Sequence, residues 1–333
     1  MSHPLQVSAV IPTFRRLDVL RRCLERLVAQ EYPALEILVV DDSGGDGTPA
    51  IVAAEFPDVR VLENATRQGA AATKNRGAAA AGGELLWFLD SDTEAPDPGL
   101  LGRLVQALVD RPDAAAVGGE RVRTADGRWL LVQKLLGRDG LATSVALEIA
   151  DDQLLATDYL ATSNCLVRAC AFREVGGFDP EYGILSEDLE LGYRLRQHGH
   201  AVLTGPHLAL HHHAEAAGRT GDLYLKYRNG LRFAIKNLPA PELALVPLAS
   251  LLGLLHPTRW GLVFDARPEA LKYLPAPLRD TARRTPWRTV PEVARLTGSA
   301  LVRAWVWNLS HLSETLAARR AGPPPGRGPG RAP

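Results

Sequence analysis

The stretch Leu85-Leu-Trp-Phe-Leu-Asp-Ser-Asp92 is five apolar residues followed at once by two carboxylates. An apolar run without polar alternation marks a strand buried on both faces, as in a parallel sheet covered by helices. In extended backbone, residues i and i+2 point to the same side, so Asp90 and Asp92 can reach one divalent cation. Hard carboxylate oxygens suit Mg2+ or Mn2+, and such ions commonly bridge a protein carboxylate and a substrate diphosphate. The alternative is a solvated turn. The strand-end position favours the metal, because such sheets bind ligands beyond the carboxyl ends of their strands.

Outward from this stretch the pattern repeats. Residues 7–11 are an apolar run ending at Pro12, and 37–40 are another, ending in Asp41-Asp42-Ser43-Gly44-Gly45. Residues 59–62 read as a third strand. Between them, 18–30 carry Val19, Leu20, Cys23, Leu24, Leu27 and Val28 at helical spacing, and 48–55, the Ala-rich 70–81 and 100–109 read as further helices. Alternating strands and helices predict an α/β fold with a mostly parallel central sheet. The polar residues at its strand ends are Thr13, Asp41, Asp42, Asp90 and Asp92, more acid than loop solubility requires. Beyond residue 115, 117–123 read as a strand, 129–136 as helix or strand, 189–197 as a helix stopping at Gly199, and 207–213 as a strand.

Asp41-Asp42 reads either as turn chemistry or as a carboxylate accepting hydrogen bonds from a nucleotide base or ribose. Lys74 and Arg76 either face a diphosphate or are exposed charges, and each taken alone reads as exposed. Glu187-Asp188 precedes a helix, where acids complement the macrodipole; an acid fixed there is also placed to act as a general base. In the run His211-His-His213, His211 and His213 share a strand face, and one could complete a metal site.

Composition narrows the classes. With 333 residues the chain is one large domain or a domain with an appendage, and 46% apolar residues support a sizeable core. Lys plus Arg and Asp plus Glu each number 38, and a net charge of zero excludes a dedicated DNA-binding protein. Three cysteines, Cys23, Cys165 and Cys170, make no disulfide framework and point to a reducing compartment. Residues 1–6 lead straight into the first strand, so no secretory signal is expected. The longest apolar run, 243–255, is broken by Pro247 and is shorter than the ~18–20 residues of a spanning helix.

The charge is uneven. From Arg259 onward there are 13 basic and 5 acidic residues, against 25 and 33 before it. Thr289-Val-Pro-Glu292 reads as a capping box opening a helix. Val293, Leu296, Leu301, Trp305, Leu309, Leu312 and Leu316 follow as an apolar stripe. It packs on the α/β domain or another subunit, or it lies on an anionic membrane, for which Arg279, Arg283, Arg284 and Arg288 are suited. Residues 322–333, all Pro, Gly, Arg and Ala, read as disordered.

Several segments together resemble one family. Val7-Ser-Ala-Val-Ile-Pro-Thr-Phe14 and Glu36-Ile-Leu-Val-Val-Asp-Asp-Ser43 look like the opening of family-2 glycosyltransferases. Gly69-Ala-Ala-Ala-Thr-Lys-Asn-Arg-Gly77 and the Asp-x-Asp strand resemble the family's next two blocks. Val175-Gly-Gly-Phe-Asp179 with Ser186-Glu-Asp-Leu-Glu-Leu-Gly-Tyr-Arg-Leu-Arg196 is similar to its acceptor-side block, followed by His211 and Arg228-Asn229. The resemblance runs from about residue 7 to 237.

It implies a GT-A catalytic domain over 1–240, with a nucleotide-binding half (1–115) and an acceptor half (116–240), a helical basic appendage over 241–321 and a tail over 322–333. It also implies metal-dependent, inverting transfer of a sugar from a nucleotide-sugar donor to a saccharide or lipid-linked acceptor. By position, Pro12, Thr13 and Asp41 would contact the nucleotide and Lys74 the base or diphosphate. Asp90 and Asp92 would hold ribose and metal, with Asp92 the more direct ligand, His211 would be a further metal or diphosphate contact, and Asp188 would be the base, with Glu187 the fallback. Lys74 stands where the family often has arginine, and a point charge cannot form arginine's planar fork. The expected setting is cell-envelope or exopolysaccharide synthesis, in the cytoplasm or on the inner face of the membrane, with no nucleic-acid partner. A nucleotidyltransferase would carry a Gly-rich phosphate loop where Pro12-Thr-Phe-Arg-Arg16 stands. A non-catalytic glycan-binding or scaffold protein would have no need of both acidic motifs.

Overall fold

The computed structural model describes residues 3–124, 126–136, 142–212, 223–244, 246–247 and 286–321. They form two compact units, one from the described residues up to 212 and one from those beginning at 223.

The first unit opens with β1 (Val7–Thr13), α1 (Leu17–Val28), β2 (Leu35–Asp41), α2 (Thr48–Glu55), β3 (Val59–Glu63), α3 (Ala70–Ala80) and β4 (Leu85–Leu89), the expected alternation. It continues through β5 (Thr93–Glu94), α4 (Leu100–Asp110), β6 (Ala114–Gly118), β7 (Glu120–Arg123), β8 (Trp129–Leu136), β9 (Ala142–Leu147), β10 (Leu155–Ala156), β11 (Asn164–Arg168), α5 (Ala169–Glu174), α6 (Glu187–Gln197), β12 (Ala201–Thr204) and β13 (Leu210–His212). The main sheet has the order β10-β12-β6-β11-β4-β1-β2-β3. β4, β1, β2 and β3 are parallel, as are β6 and β12, while β11 runs antiparallel between β4 and β6. The register sets Thr13 beside Asp41. β2 and β4 flank β1 on opposite sides, so the crevice for a ligand lies at the carboxyl ends of these three strands.

The apolar strands bury both faces, residue by residue. Leu85, Trp87 and Leu89 point into a core shared with Leu20, Leu24 and Leu27 of α1 and Leu100, Leu104 and Leu108 of α4. Leu86 and Phe88 point the other way, to Phe172, Phe178, Leu191 and Leu195. Phe88, Phe172 and Phe178 pack with ring centroids 5.0–5.3 Å apart. Each such fully buried side chain contributes about 1.5–3 kcal/mol from burial. Val28, expected on the inner face of α1, is half exposed, because it lies one residue of helical rotation past Leu27.

Two expected strands differ in the structure. Residues 117–123 are not one strand: they divide into β6 of the main sheet and β7 of a second sheet ordered β5-β13-β7-β8-β9. Gly118 and Gly119 (φ +157° and +142°) make this crossing, and a Cβ would lie 2.1 Å from the Asn164 carbonyl oxygen at the first and 2.4 Å from Thr204 Oγ1 at the second. Residues 207–213 are likewise not one strand. Pro206–Leu208 form a 3-10 turn, begun by a proline with fixed φ and no N–H, and the strand covers only Leu210–His212. Residues 129–136 are strand.

The second unit contains α7 (Leu223–Asn237), α8 (Pro286–Ser310) and α9 (Leu312–Ala321), with α7 packed on both others. Residues 223–237 therefore group with the C-terminal helices. Asn308 Nδ2 donates to the Arg228 carbonyl (2.9 Å), Arg232 Nη1 to Thr315 Oγ1 (3.1 Å) and Arg319 Nη1 to the Ile235 carbonyl (2.7 Å). Thr289-Val-Pro-Glu292 lies inside α8 rather than at its start, which is Pro286, a residue suited to a first turn. The buried face of α8 is Ala300, Leu301, Ala304 and Asn308, whereas Leu309 is 60% exposed. His213, Arg279, Arg283, Arg284 and residues 322–333 lie outside the described residues. No described helix is long and apolar enough to cross a membrane.

Candidate active site

The end of β1 and the end of β2 meet at Thr13 and Asp41. Asp41 is fully buried; its Oδ1 accepts from the Ser43 N–H (3.1 Å), while Oδ2 has no hydrogen-bond partner among the described residues. Burial raises its pKa, against the hydrogen bonds from Ser43. Thr13 Oγ1 is also buried and unpartnered, and Pro12 beside it is partly exposed. Two orphaned polar atoms at adjacent strand ends fit a ligand that donates and accepts hydrogen bonds there, as a nucleotide does. Asp42 is spoken for: its carboxylate accepts from Asn64 Nδ2 (2.8 Å) and from the backbone N–H of Gln68 (2.7 Å) and Gly69 (2.9 Å), so it shapes the loop before α3.

Asp90 and Asp92 follow β4 in a turn rather than in the extended backbone expected, because the strand ends at Leu89 and the Thr93 N–H bonds back to the Asp90 carbonyl, and each acid faces its own cation. Asp92 is buried, and its Oδ2 accepts from Arg16 Nη1 at 3.0 Å. Asp90 Oδ1 lies 4.0 Å from Lys74 Nζ. Two carboxylates at one strand end, each attracting a cation, are a donor set of the right kind for a hard divalent ion. The backbone of His211 pairs with Glu94 of β5, just beyond Asp92; its side chain lies outside the described residues. Among the described residues, no three His, Cys, Asp or Glu side chains gather as a metal-binding group.

On the far side stands the start of α6. Leu185 and Ser186 both take left-handed backbone (φ +72° and +69°), a costly conformation for residues with side chains, and they present Glu187 and Asp188 in the first helical turn. Asp188 Oδ1 accepts from the Leu189 N–H at 2.8 Å, and the residue as a whole is partly buried. Burial of its surroundings, then the charge of Glu187, push its pKa up to about 7, against the pull of Lys74. Glu187 is buried and accepts from Lys74 Nζ at 3.0 Å.

Lys74 is 2% exposed, not the surface charge it reads as in isolation. Besides Glu187 and Asp90 it bonds Thr162 Oγ1, and its pKa moves upward because the charges of Glu187 and Asp90 outweigh the lowering effect of burial. Arg76 is exposed but holds the Glu63 carbonyl (2.6 Å) and Asn64 Oδ1 (2.5 Å), tying α3 to the end of β3. Lys74 thus joins the end of β4 to the start of α6.

The family model described as Glycosyl transferase family 2 matches residues 8–171. An N-acetylglucosaminyl-diphospho-decaprenol L-rhamnosyltransferase of Mycobacterium tuberculosis is 30% identical over 247 residues, covering 66% of this chain and 79% of the relative. The chain belongs to glycosyltransferase family 2. An O-antigen biosynthesis protein of Myxococcus xanthus is 29% identical over 240 residues, 67% of this chain but only 19% of that much longer protein. Among solved structures, a mannosyltransferase from Pyrobaculum calidifontis, in complex with GDP-Man and Mn2+, superposes with a TM-score of 0.56 at 21% identity, over 92% of this chain and 88% of that one. The glycosyltransferase has the GT-A fold.

Several residues that organise this glycosyltransferase site escape a reading of the sequence. Arg16 and Thr162 carry no local signal; both are joined to the site by long-range contacts. Glu190 is fully buried and pairs with Arg194, Nε to Oε1 at 2.8 Å, and Arg194 Nη2 reaches the Gly177 carbonyl at 2.6 Å. This clamp fixes α6 to the Gly176-Gly177 loop, and its i,i+4 spacing is visible in the sequence. Asn164 accepts from Trp87 Nε1 (2.9 Å) and donates to the carbonyls of Gly119 (2.9 Å) and Leu208 (2.8 Å), locking the junction between the two sheets.

Proposed function

We propose that the protein is a metal-dependent, inverting glycosyltransferase that moves a sugar from a nucleotide diphosphate to an acceptor hydroxyl. The observation that carries this reading is the pairing of acidic strand ends with an acid at the start of α6 whose pKa is raised to about 7. Thr13 and Asp41 bind the nucleotide with the polar atoms they leave unpartnered. Asp90 and Asp92 would hold Mg2+ or Mn2+, with His211 as a further ligand; when bound, the ion would neutralise charge on the departing diphosphate. Asp188 takes the proton of the acceptor hydroxyl as that oxygen bonds the anomeric carbon. The bond from that carbon to the diphosphate oxygen breaks on the opposite face, and its electron pair leaves with the nucleoside diphosphate. A pKa near ambient pH suits a base, and such help is worth ~10²–10⁴-fold. Glu187, held by Lys74, is the fallback.

The relatives' printed roles, O-antigen biosynthesis and sugar transfer to a decaprenol-linked diphosphate, support a saccharide or lipid-linked acceptor in envelope polysaccharide synthesis. A lipid-linked acceptor calls for a membrane surface. Val302, Val306 and Leu309 form an exposed apolar row on α8, with Arg295 and Arg303 on exposed positions of the same helix. We assign this face to an anionic inner-membrane surface, to which the basic C-terminal stretch is complementary.

Asp188→Asn tests the reaction. Transfer from the true donor falls about 10²-fold or more, while metal-supported binding of the nucleoside diphosphate, followed by calorimetry, stays at the parent level. Turnover close to the parent rate would remove Asp188 as the base. A parent enzyme that binds but never turns over any nucleotide sugar would return the scaffold reading.

A further inference from the structure

We propose that Lys74 is a positioning residue that joins the donor-side carboxylate Asp90 to the acceptor-side pair Glu187-Asp188, and that it does not itself contact the donor. This rests on the reading of Asp90 as a metal ligand and Asp188 as the base.

Burial and neighbouring charge limit what Lys74 can reach. An ammonium group has three N–H donors. Lys74 Nζ spends one on Glu187 Oε1 at 3.0 Å and one on Thr162 Oγ1, and Asp90 Oδ1 stands 4.0 Å away as a third neighbour. The side chain is 2% exposed, and the ring of Phe178 closes another side, 5.6 Å from Nζ. The third N–H makes no hydrogen bond, since 4.0 Å is too long for one, but at 2% exposure the group offers a base or diphosphate almost no surface to approach.

The three anchors come from different parts of the chain: the end of β4, the segment before β11, and the first turn of α6. One ammonium therefore ties the metal-binding strand end to the helix that carries the base. Its charge is shared between Asp90 and Glu187. A divalent ion at Asp90 repels the ammonium from that carboxylate and commits it to Glu187. Metal loading thus tightens the anchor of the helix turn that holds Asp188. A lysine can do this with one compact charge, where a planar guanidinium would need more room.

The test uses the full chain as Lys74→Met, Glu187→Gln and the double variant. Mn2+ binding without nucleotide is measured by electron paramagnetic resonance. Binding of UDP, dTDP and GDP in the presence of Mn2+ is measured by calorimetry. Lys74→Met removes a positive charge from beside Asp90, so Mn2+ binds about 3-fold or more tightly. The preferred nucleoside diphosphate keeps its affinity within about 3-fold, and with its sugar donor kcat falls while KM for the donor holds. A loss of nucleotide affinity of about 10-fold or more, or an unchanged Mn2+ affinity, overturns the proposal. If Lys74→Met does not fold, the double variant, which removes both charges of the pair, carries the nucleotide measurement, where affinity again holds within about 3-fold and a loss of about 10-fold or more overturns the proposal. The binding measurements need no turnover, so failure of the transfer reading shows separately, as a parent enzyme that binds nucleotide and Mn2+ without consuming any donor.

Discussion

At Asp188 two requirements oppose each other. The base proposed there needs its raised pKa to work near neutrality, but holding a carboxylate in that setting costs stability. Between the ordinary Asp value of 3.8 and about 7, the folded protein keeps a proton that the unfolded chain has lost. Stability therefore falls as pH rises through that window. Asp188→Asn, which carries no charge at any pH, melts at a higher temperature than the parent at pH 8, and the gain vanishes near pH 4; scanning calorimetry at the two values checks this. In the same window the parent's kcat climbs with pH and levels off above about 7, the profile of a base that must be deprotonated. A flat profile from pH 5 to 8 would count against the assignment.

α6 shows how one element sets a reactive group. Its first turn is delivered by two left-handed residues, its middle is clamped by Glu190 and Arg194, and its inner face sits directly on the segment before β11. Gly192 is the contact point: a Cβ there would lie 2.4 Å from Tyr159 Cβ and 2.7 Å from its Cα, and backbone cannot yield as a flexible side chain can. Gly192→Ala should destabilise the protein by roughly 1–3 kcal/mol, the usual cost of overpacking, seen as a lower urea midpoint with little change in slope. Activity should drop further than stability alone explains, because the displaced helix carries Glu187 and Asp188.

For the whole molecule, a net charge of zero conceals a division. Residues 1–258 carry 33 acidic and 25 basic side chains, and the remainder carries 5 and 13. The acidic part holds the strand ends; the basic part includes α8, whose Val302, Val306 and Leu309 are each more than 60% or at 60% exposed. The protein should co-sediment with vesicles containing phosphatidylglycerol at low salt and release at high salt, where charges are screened. Val302→Ser with Val306→Ser should weaken the binding at every salt concentration, since that loss is apolar. Equal recovery on neutral vesicles would show that charge plays no part.

The alternation of apolar runs with helical periodicity was enough to determine the α/β fold, the parallel sheet and the acids at its strand ends, because burial on both faces leaves a local trace in every strand. Thr13, Asp41, Asp90 and Asp92 were legible as candidates for that reason, and Glu187 and Asp188 because they open a helix. What only the tertiary structure decided was how those candidates are wired. Nothing near position 74 announces a lysine that is fully buried, and nothing near 16 or 162 announces a partner for Asp92 or Lys74, since those contacts span 76 and 88 residues. The break at Gly118-Gly119 and the shifted face of α8 were likewise hidden. Strand and helix periodicity is written within a few residues, whereas a buried charge is set by neighbours that the chain brings from far away.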